Sequence, residues 1–178
     1  MGTTLHEKSE RDRGASPWSL RSRVAILVWE YTWLGLCQWT PKPLNAWRLL
    51  VLRAFGANIE GRPFVHQRAR LQIPWNVSLG DGACIGDRAA LYSLDKIVVE
   101  RQAVIAQEAY LCTGTHDFTR ETLPLVTAPI RVMEGAFVGA RAFLMPDITI
   151  GAGAVVGACA VVTRNVAPGS RVKGNPAR

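Results

Sequence analysis

VMEGAFVGARAFLMPDITIGAGAVVGACAVV, residues 132–162, decides the fold. Every sixth residue in it is aliphatic: Val132, Val138, Leu144, Ile150, Val156 and Val162. Gly follows the aliphatic residue at Gly139, Gly151 and Gly157, and Ala stands two places before it at Ala136, Ala142, Ala154 and Ala160. A period of six fits neither the 3.6 residues of a helical turn nor the two-residue alternation of a half-buried strand. It is the signature of a parallel β-helix in which each hexapeptide forms one flat side and turns its aliphatic residue inward. The fold class is therefore all-β, and any residue that breaks the repeat becomes a candidate for chemistry.

Read towards the N-terminus, the register persists with small slips. Ile59, Val65, Leu71 and Val77 are six apart; a two-residue shift restarts the count at Leu79, Ile85, Leu91 and Ile97. A second shift gives Val99, Ile105 and Leu111, and the small-residue rule holds at Ala83, Ala89, Ala103 and Ala109. Coils of about three hexapeptides separated by two-residue bulges explain both shifts. One long lapse runs from Cys112 to about Arg131 before the register resumes at Val132. Residues 58–178 thus read as a β-helix domain with a loop at 112–131.

Residues 1–17 read as a mobile polar tail and residues 18–57 as a helical segment. The apolar run VAILVWEYTWLGLCQW, Val24–Trp39, holds Trp29, Trp33 and Trp39. It falls short of the roughly 20 apolar residues that span a bilayer, and Glu30 interrupts it, so a transmembrane helix is not expected. Two readings stand: a helix packed on the solenoid or a neighbouring subunit, or one lying in a membrane interface with its tryptophans at headgroup depth. Pro41 and Pro43 break the run. A second helix is expected from about Asn45 to Phe55, with Leu44, Trp47, Leu50, Val51 and Ala54 on one face and Gly56 to stop it. Together the helices would cap the open end of the solenoid, whose first coil otherwise exposes unpaired backbone groups.

The chain of 178 residues is long enough for one domain with a substantial core, and its 48% hydrophobic and 20% charged content is that of a globular protein. The formal net charge is +7. Basic residues gather early, at Arg11, Arg13, Arg21 and Arg23, and late, at Arg164, Arg171, Lys173 and Arg178. The late group lies beside the repeat, where a phosphate-bearing cofactor can use it. No aromatics interleave with these charges, which argues against nucleic acid as a partner. Cys37, Cys84, Cys112 and Cys159 form no C-x-x-C pair, which argues against a zinc site or a disulfide framework and for a reduced compartment. The first twenty residues lack the apolar core of a secretory signal, so a cytoplasmic location is expected.

The long lapse reads CTGTHDFTRETLPLVTAPIR, residues 112–131, and contains His116. Of the other two histidines, His6 lies in the tail, and His66 follows the inward Val65 and is expected to face solvent. His116 stands at the root of the only long excursion, flanked by Gly114 and Asp117. An imidazole, with an unperturbed pKa near 6.5, is the side chain best matched to drawing a proton from an attacking hydroxyl near neutral pH. Its second nitrogen needs an acceptor: a backbone carbonyl of the loop, Asp117 or a carboxylate of an adjacent chain. A tetrahedral intermediate would need a backbone N–H, and the Gly139–Ala140 step is the candidate oxyanion donor.

Several stretches carry a specific resemblance: LCTGTHDF at 111–118, VGARAF at 138–143, ITIGAGAVVGACAVVTRNV at 148–166 and KGNPAR at 173–178, with LLVLRAFGANI at 49–59, IPWNVSLGDGACIG at 73–86 and LYSLDKI at 91–97. From about Ser19 onward the chain resembles the hexapeptide-repeat acetyltransferases, and within them the O-acetyltransferases of colanic acid biosynthesis. The resemblance implies a left-handed β-helix, a homotrimer, and active sites between adjacent subunits. It gives His116 the position of the general base and implies acetyl-CoA as donor, lying in the groove between two solenoids. By matching position, Ala140 and Ala158 would contact the pantetheine arm, while Thr163, Arg164 and Arg178 would hold the nucleotide end. A sugar or glycan acceptor would meet Asp117 and, more weakly, Tyr92.

Three departures bear on fit. Phe137 stands where relatives often carry Trp, Pro146-Asp147-Ile148 replaces a P-G-V turn, and Ala106 replaces a Ser. Aspartate is less comfortable than glycine at positive φ. The leading expectation is an acetyl-CoA-dependent O-acetyltransferase acting on a surface polysaccharide or its lipid-linked precursor. The rivals are an N-acyltransferase for serine or a nucleotide sugar on the same scaffold, and an inactive membrane-docking trimer. The γ-type carbonic anhydrases share the solenoid but need three zinc histidines. With only His66 and His116 in the repeat region, no metal is expected.

Overall fold

A computed structural model describes His6–Glu7 and residues 18–178. Two helices lead into a parallel β-solenoid of three flat sides, the left-handed β-helix of hexapeptide repeats. Its core is three aliphatic columns, one per side. Ile59, Leu79, Val99, Val132 and Ile150 stack on the first side. Val65, Ile85, Ile105, Val138, Val156 and Val172 stack on the second. Leu71, Leu91, Leu111, Leu144 and Val162 complete the third. The register read from the period is the register of the ladder. Burying each such side chain contributes about 1.5–3 kcal/mol.

Alanine fills the corners because the chain turns there against its neighbouring coil: Ala83, Ala89, Ala103, Ala109, Ala136, Ala142, Ala154 and Ala160 are all fully buried. At the corner between the second and third sides the turn passes through positive φ at Arg88, Glu108, Arg141 and Cys159, all between 55° and 59°. At another corner Asp147, in place of the usual glycine, also takes positive φ, at 65°.

The first helix, α1 (Leu20–Leu36), begins four residues before the apolar run, because Ser19 caps it by accepting from the Ser22 N–H at 3.2 Å. Trp29, Trp33 and Cys37 are buried, and the Trp29 indole N–H donates to the Leu71 carbonyl at 2.7 Å, fixing α1 along the third side. Its outer surface leaves Val24, Leu27, Val28, Tyr31 and Leu34 exposed. No helix among the described residues is long and apolar enough to cross a membrane.

The second helix, α2 (Asn45–Ala54), ends as expected at Gly56, whose φ is 83°. The face it buries differs from the expected one: Arg48, Leu49, Val51 and Leu52 are buried, while Leu44, Trp47 and Leu50 are exposed. The reason is Arg48. Its guanidinium lies inside, donating to the carbonyls of Val65, Pro41 and Lys42 and to the Thr40 hydroxyl at 2.9–3.0 Å. Asn45 adds bonds to the Pro63 carbonyl and the Val65 N–H. Thus α2 covers the second side of the first coil with polar as well as apolar contacts.

That cover buries His66, against the expectation that it faces solvent. Its Nδ1 accepts from the Arg68 N–H at 3.2 Å and lies 3.2 Å from an Asp87 oxygen, and burial pushes its pKa down, with Asp87 opposing. Of the expected tail, His6–Glu7 pairs antiparallel with Val126–Thr127; the remainder lies outside the described residues.

Candidate active site

After Cys112 the chain leaves the third side and folds into a hairpin, Gly114–His116 against Leu125–Thr127, instead of an irregular loop. Thr113, fully buried, roots it: its hydroxyl donates to the Tyr92 carbonyl at 2.6 Å and accepts from the Asp95 N–H at 3.0 Å. The Thr127 hydroxyl donates to the Asp95 carboxylate at 3.1 Å, and the Ala128 N–H to the Thr113 carbonyl at 2.9 Å. Gly114 packs closely there: a Cβ would stand 2.8 Å from Leu94 Cδ1, so the leucine side chain would have to turn aside. The hairpin is thereby held at the corner between the third and first sides.

His116 Nδ1 lies 2.7 Å from the Leu123 carbonyl oxygen. A carbonyl only accepts, so Nδ1 carries a proton, and in the neutral ring Nε2 keeps the lone pair. The side chain is exposed, so that lone pair is open to an incoming group. Of the two orienting groups that this chain itself offers, the loop carbonyl is the one in contact. Asp117 is occupied otherwise: one carboxylate oxygen accepts from the Thr119 N–H at 2.9 Å and the Thr119 hydroxyl at 2.6 Å. These bonds, and Arg120 beyond them, hold its carboxyl below the usual range. Asp117 therefore shapes the hairpin tip next to His116.

Tyr92 lies on the same corner, paired in register with Cys112; burial and then Cys112 push its phenol pKa up. Its ring belongs to a row with Tyr110 at 6.0 Å and Phe143, stacked on Tyr110 at 5.3 Å.

The remaining candidates lie elsewhere on this chain. Gly139–Ala140 and Ala158 form successive steps of the corner between the second and third sides, linked by the Cys159 N–H to the Ala140 carbonyl at 2.9 Å. A Cβ on Gly139 would lie 2.6 Å from the Ala158 nitrogen, so glycine permits this stacking. The Gly139 N–H donates to the Val156 carbonyl at 2.8 Å and is not available to an oxyanion. That corrects half of the expected pair; the Ala140 N–H has no backbone acceptor among the described residues. Thr163 and Arg164 are exposed on the hairpin's corner, further along the solenoid. Arg178 is held beside Lys173 by reciprocal backbone bonds of 3.0 and 3.2 Å. Arg164, Arg171, Lys173 and Arg178 make no ion pair among the described residues, leaving their charge free for an anion. Among those residues no cluster of three His, Cys, Asp or Glu could hold a metal.

His116, Asp117 and Tyr92 thus share one corner, and Ala140 and Ala158 another. Sequence reasoning had no access to Leu123, whose role is that of a backbone atom, nor to the polar root at Thr113 and Asp95, whose partners are distant in sequence.

Residues 129–164 match the family model for the bacterial transferase hexapeptide, six repeats. The chain is 34% identical over 154 residues to WcaF of Escherichia coli strain K12, named as a colanic acid biosynthesis acetyltransferase, covering 86% of this chain and 85% of that one. The solved hexapeptide-repeat acetyltransferase VCA0836 of Vibrio cholerae O1 biovar eltor, complexed with acetyl coenzyme A, superposes with a TM-score of 0.82 at 20% identity, covering 92% and 89% of the two chains. A galactoside acetyltransferase in complex with coenzyme A does so at 0.79 and 16% identity, covering 92% and 82%. At these identities the two structures speak for the fold, and the identity to WcaF across most of both chains speaks for the family. This protein belongs to the hexapeptide-repeat acetyltransferases.

Proposed function

We propose that the protein transfers acetyl from acetyl-CoA to a sugar hydroxyl of a surface polysaccharide or its lipid-linked precursor, with His116 as general base. The observation that carries this reading is the 2.7 Å contact between His116 Nδ1 and the Leu123 carbonyl, which in the neutral ring makes Nε2 the nitrogen that carries the lone pair, on an exposed side chain. In the reaction Nε2 takes the hydroxyl proton as the sugar oxygen attacks the thioester carbonyl carbon. The tetrahedral oxyanion is stabilised by the Ala140 N–H. Its collapse breaks the C–S bond, and the imidazolium returns the proton to the departing thiolate of coenzyme A.

His116 and Ala140 occupy different corners of one solenoid, which favours a site completed by a neighbouring copy and hence a homotrimer. Ala140 and Ala158 would face the pantetheine arm, while the Thr163 hydroxyl and the guanidinium groups of Arg164 and Arg178, without an ion pair among the described residues, would meet the nucleotide phosphates. The exposed apolar residues between Val24 and Trp39 support a peripheral contact with the inner face of the cell membrane, where a lipid-linked acceptor would be met. The names of WcaF, a colanic acid biosynthesis acetyltransferase, and of the second structural neighbour, a galactoside acetyltransferase, support a glycan acceptor.

The test is incubation with isotopically labelled acetyl-CoA and sugar or lipid-linked sugar acceptors, the product located by mass spectrometry. An alkali-labile acetyl on a sugar oxygen is expected. An alkali-stable acetyl on nitrogen would make the protein an N-acyltransferase instead, and coenzyme A binding without transfer would favour a scaffold.

A further inference from the structure

A cleft of about 380 Å³ opens between α1 and the third side of the solenoid, away from the tip of the His116 hairpin. Trp33 and Gln67 both line it, and each carries a buried polar atom with no partner: the Trp33 indole N–H, a donor, and Gln67 Oε1, an acceptor. Trp33 is only 8% exposed. Buried polar atoms are paired in the great majority of cases, so an unpaired donor and an unpaired acceptor lining one cavity call for a ligand that supplies both functions.

We propose that this cleft binds one pyranose unit of the acceptor glycan, an inference that rests on the sugar-acetylating reading above. A pyranose carries neighbouring hydroxyls, each able to accept from the Trp33 N–H or donate to Gln67 Oε1. Its flat C–H face suits an aromatic wall, and the cleft has one in Tyr92 and Tyr110, whose rings lie 6.0 Å apart at 39°. Planar polar groups complete the rim: Gln72, which donates to Glu30 at 3.2 Å, and Arg70, which makes no ion pair among the described residues. The volume is that of a small-molecule site. An alkyl chain fits the chemistry poorly, because it would leave both orphan atoms unpaired in a drier cavity.

The cleft shares one residue, Tyr92, with the catalytic corner. Tyr92 lines it, accepts the Thr113 hydroxyl on its carbonyl, and stands beside the hairpin root, where a Cβ on Gly114 would lie 3.6 Å from Tyr92 Cε1. A glycan held by one ring in the cleft can therefore extend towards the segment that carries His116.

The experiment measures binding of methyl glucopyranoside, galactopyranoside and fucopyranoside to the full chain by ligand-observed NMR titration, without acetyl-CoA. Trp33→Phe removes the donor and keeps an aromatic ring; Gln67→Leu removes the acceptor and leaves α1 untouched. At least one pyranoside should bind saturably, and each variant should weaken it about tenfold, as expected for one lost bond to a buried group. In transfer assays the acceptor KM should rise by the same factor with the acetyl-CoA KM unchanged. Absence of saturable binding to the native protein, or variants that bind as it does, would overturn the proposal, as would binding of a decyl chain in preference to every pyranoside. Variant-sensitive pyranoside binding without acetyl transfer would uphold the cleft and refute the reaction. Transfer with an unaltered acceptor KM in both variants would do the reverse.

Discussion

His116 Nδ1 and the Leu123 carbonyl oxygen, seven residues apart, meet at 2.7 Å across the hairpin tip. Leu123 reaches this position at φ 45°, in the left-handed region that a leucine enters only at a cost, and its N–H is tied to the Arg120 carbonyl at 3.0 Å. The tip is therefore a closed unit in which backbone geometry sets the tautomer of an exposed imidazole. Asp117 N–H to the Pro124 carbonyl, at 3.0 Å, closes it from the other strand.

Asp117 separates shaping from substrate contact. Asp117→Asn keeps an oxygen to accept from Thr119, so it should retain kcat within about twofold, whereas Asp117→Ala should lower kcat about tenfold by loosening the tip. Steady-state kinetics with both substrates checks this. A raised acceptor KM in Asp117→Asn with normal kcat would instead make Asp117 a substrate contact.

Gly139→Ala places a Cβ 2.6 Å from the Ala158 nitrogen and the Val156 oxygen, both backbone atoms that cannot turn aside. Overpacking of this kind costs about 1–3 kcal/mol. The expected outcome is a lower Tm together with a kcat reduced about tenfold or more, since the Ala140 N–H must shift with the corner. Unchanged kcat in a folded variant would remove Ala140 from the oxyanion role.

His66 sets a pH dependence of stability. Burial depresses its folded pKa, so below the unfolded value of about 6.5 the unfolded chain binds more protons than the folded one. Stability from this group is present above that pH and is lost as pH falls through the window towards the folded pKa. Tm should drop as pH falls below about 6.5, and His66→Gln should flatten that part of the profile. An identical slope in the variant would assign the effect elsewhere.

The outer surface of α1 offers a direct assay of membrane contact. Replacing Leu27 and Tyr31, both more than half exposed, with Ser should reduce co-sedimentation with anionic phospholipid vesicles about tenfold. Solution acetyl transfer to a water-soluble acceptor should be unchanged. Failure of the native protein to co-sediment would leave this face to a protein neighbour.

The solenoid was legible because its period is local: each aliphatic residue declares its side within six residues, and Ile59 to Val162 fall on the three columns as counted. The break after Leu111 likewise marked His116. What the period could not carry was contact between distant elements. His66 follows an inward valine and would be solvated on a bare coil, but Arg48 and Asn45 of α2 cover that side. Ser19, outside the apolar run, extended α1 through a charged first turn. The face of α2 was misread because a buried Arg48, satisfied by four oxygens, looks polar in any hydropathy pattern. At the site, the choice of the Leu123 carbonyl over Asp117 depended on a positive φ that a leucine does not advertise.

The most direct test is the rate of acetyl transfer from labelled acetyl-CoA to a sugar acceptor by native protein and by His116→Ala, with oligomeric state and Tm measured in parallel. Loss of transfer by about 10²–10⁴-fold in a variant that keeps its assembly and Tm is the predicted result. A folded His116→Ala protein that transfers acetyl at the native rate would contradict the account.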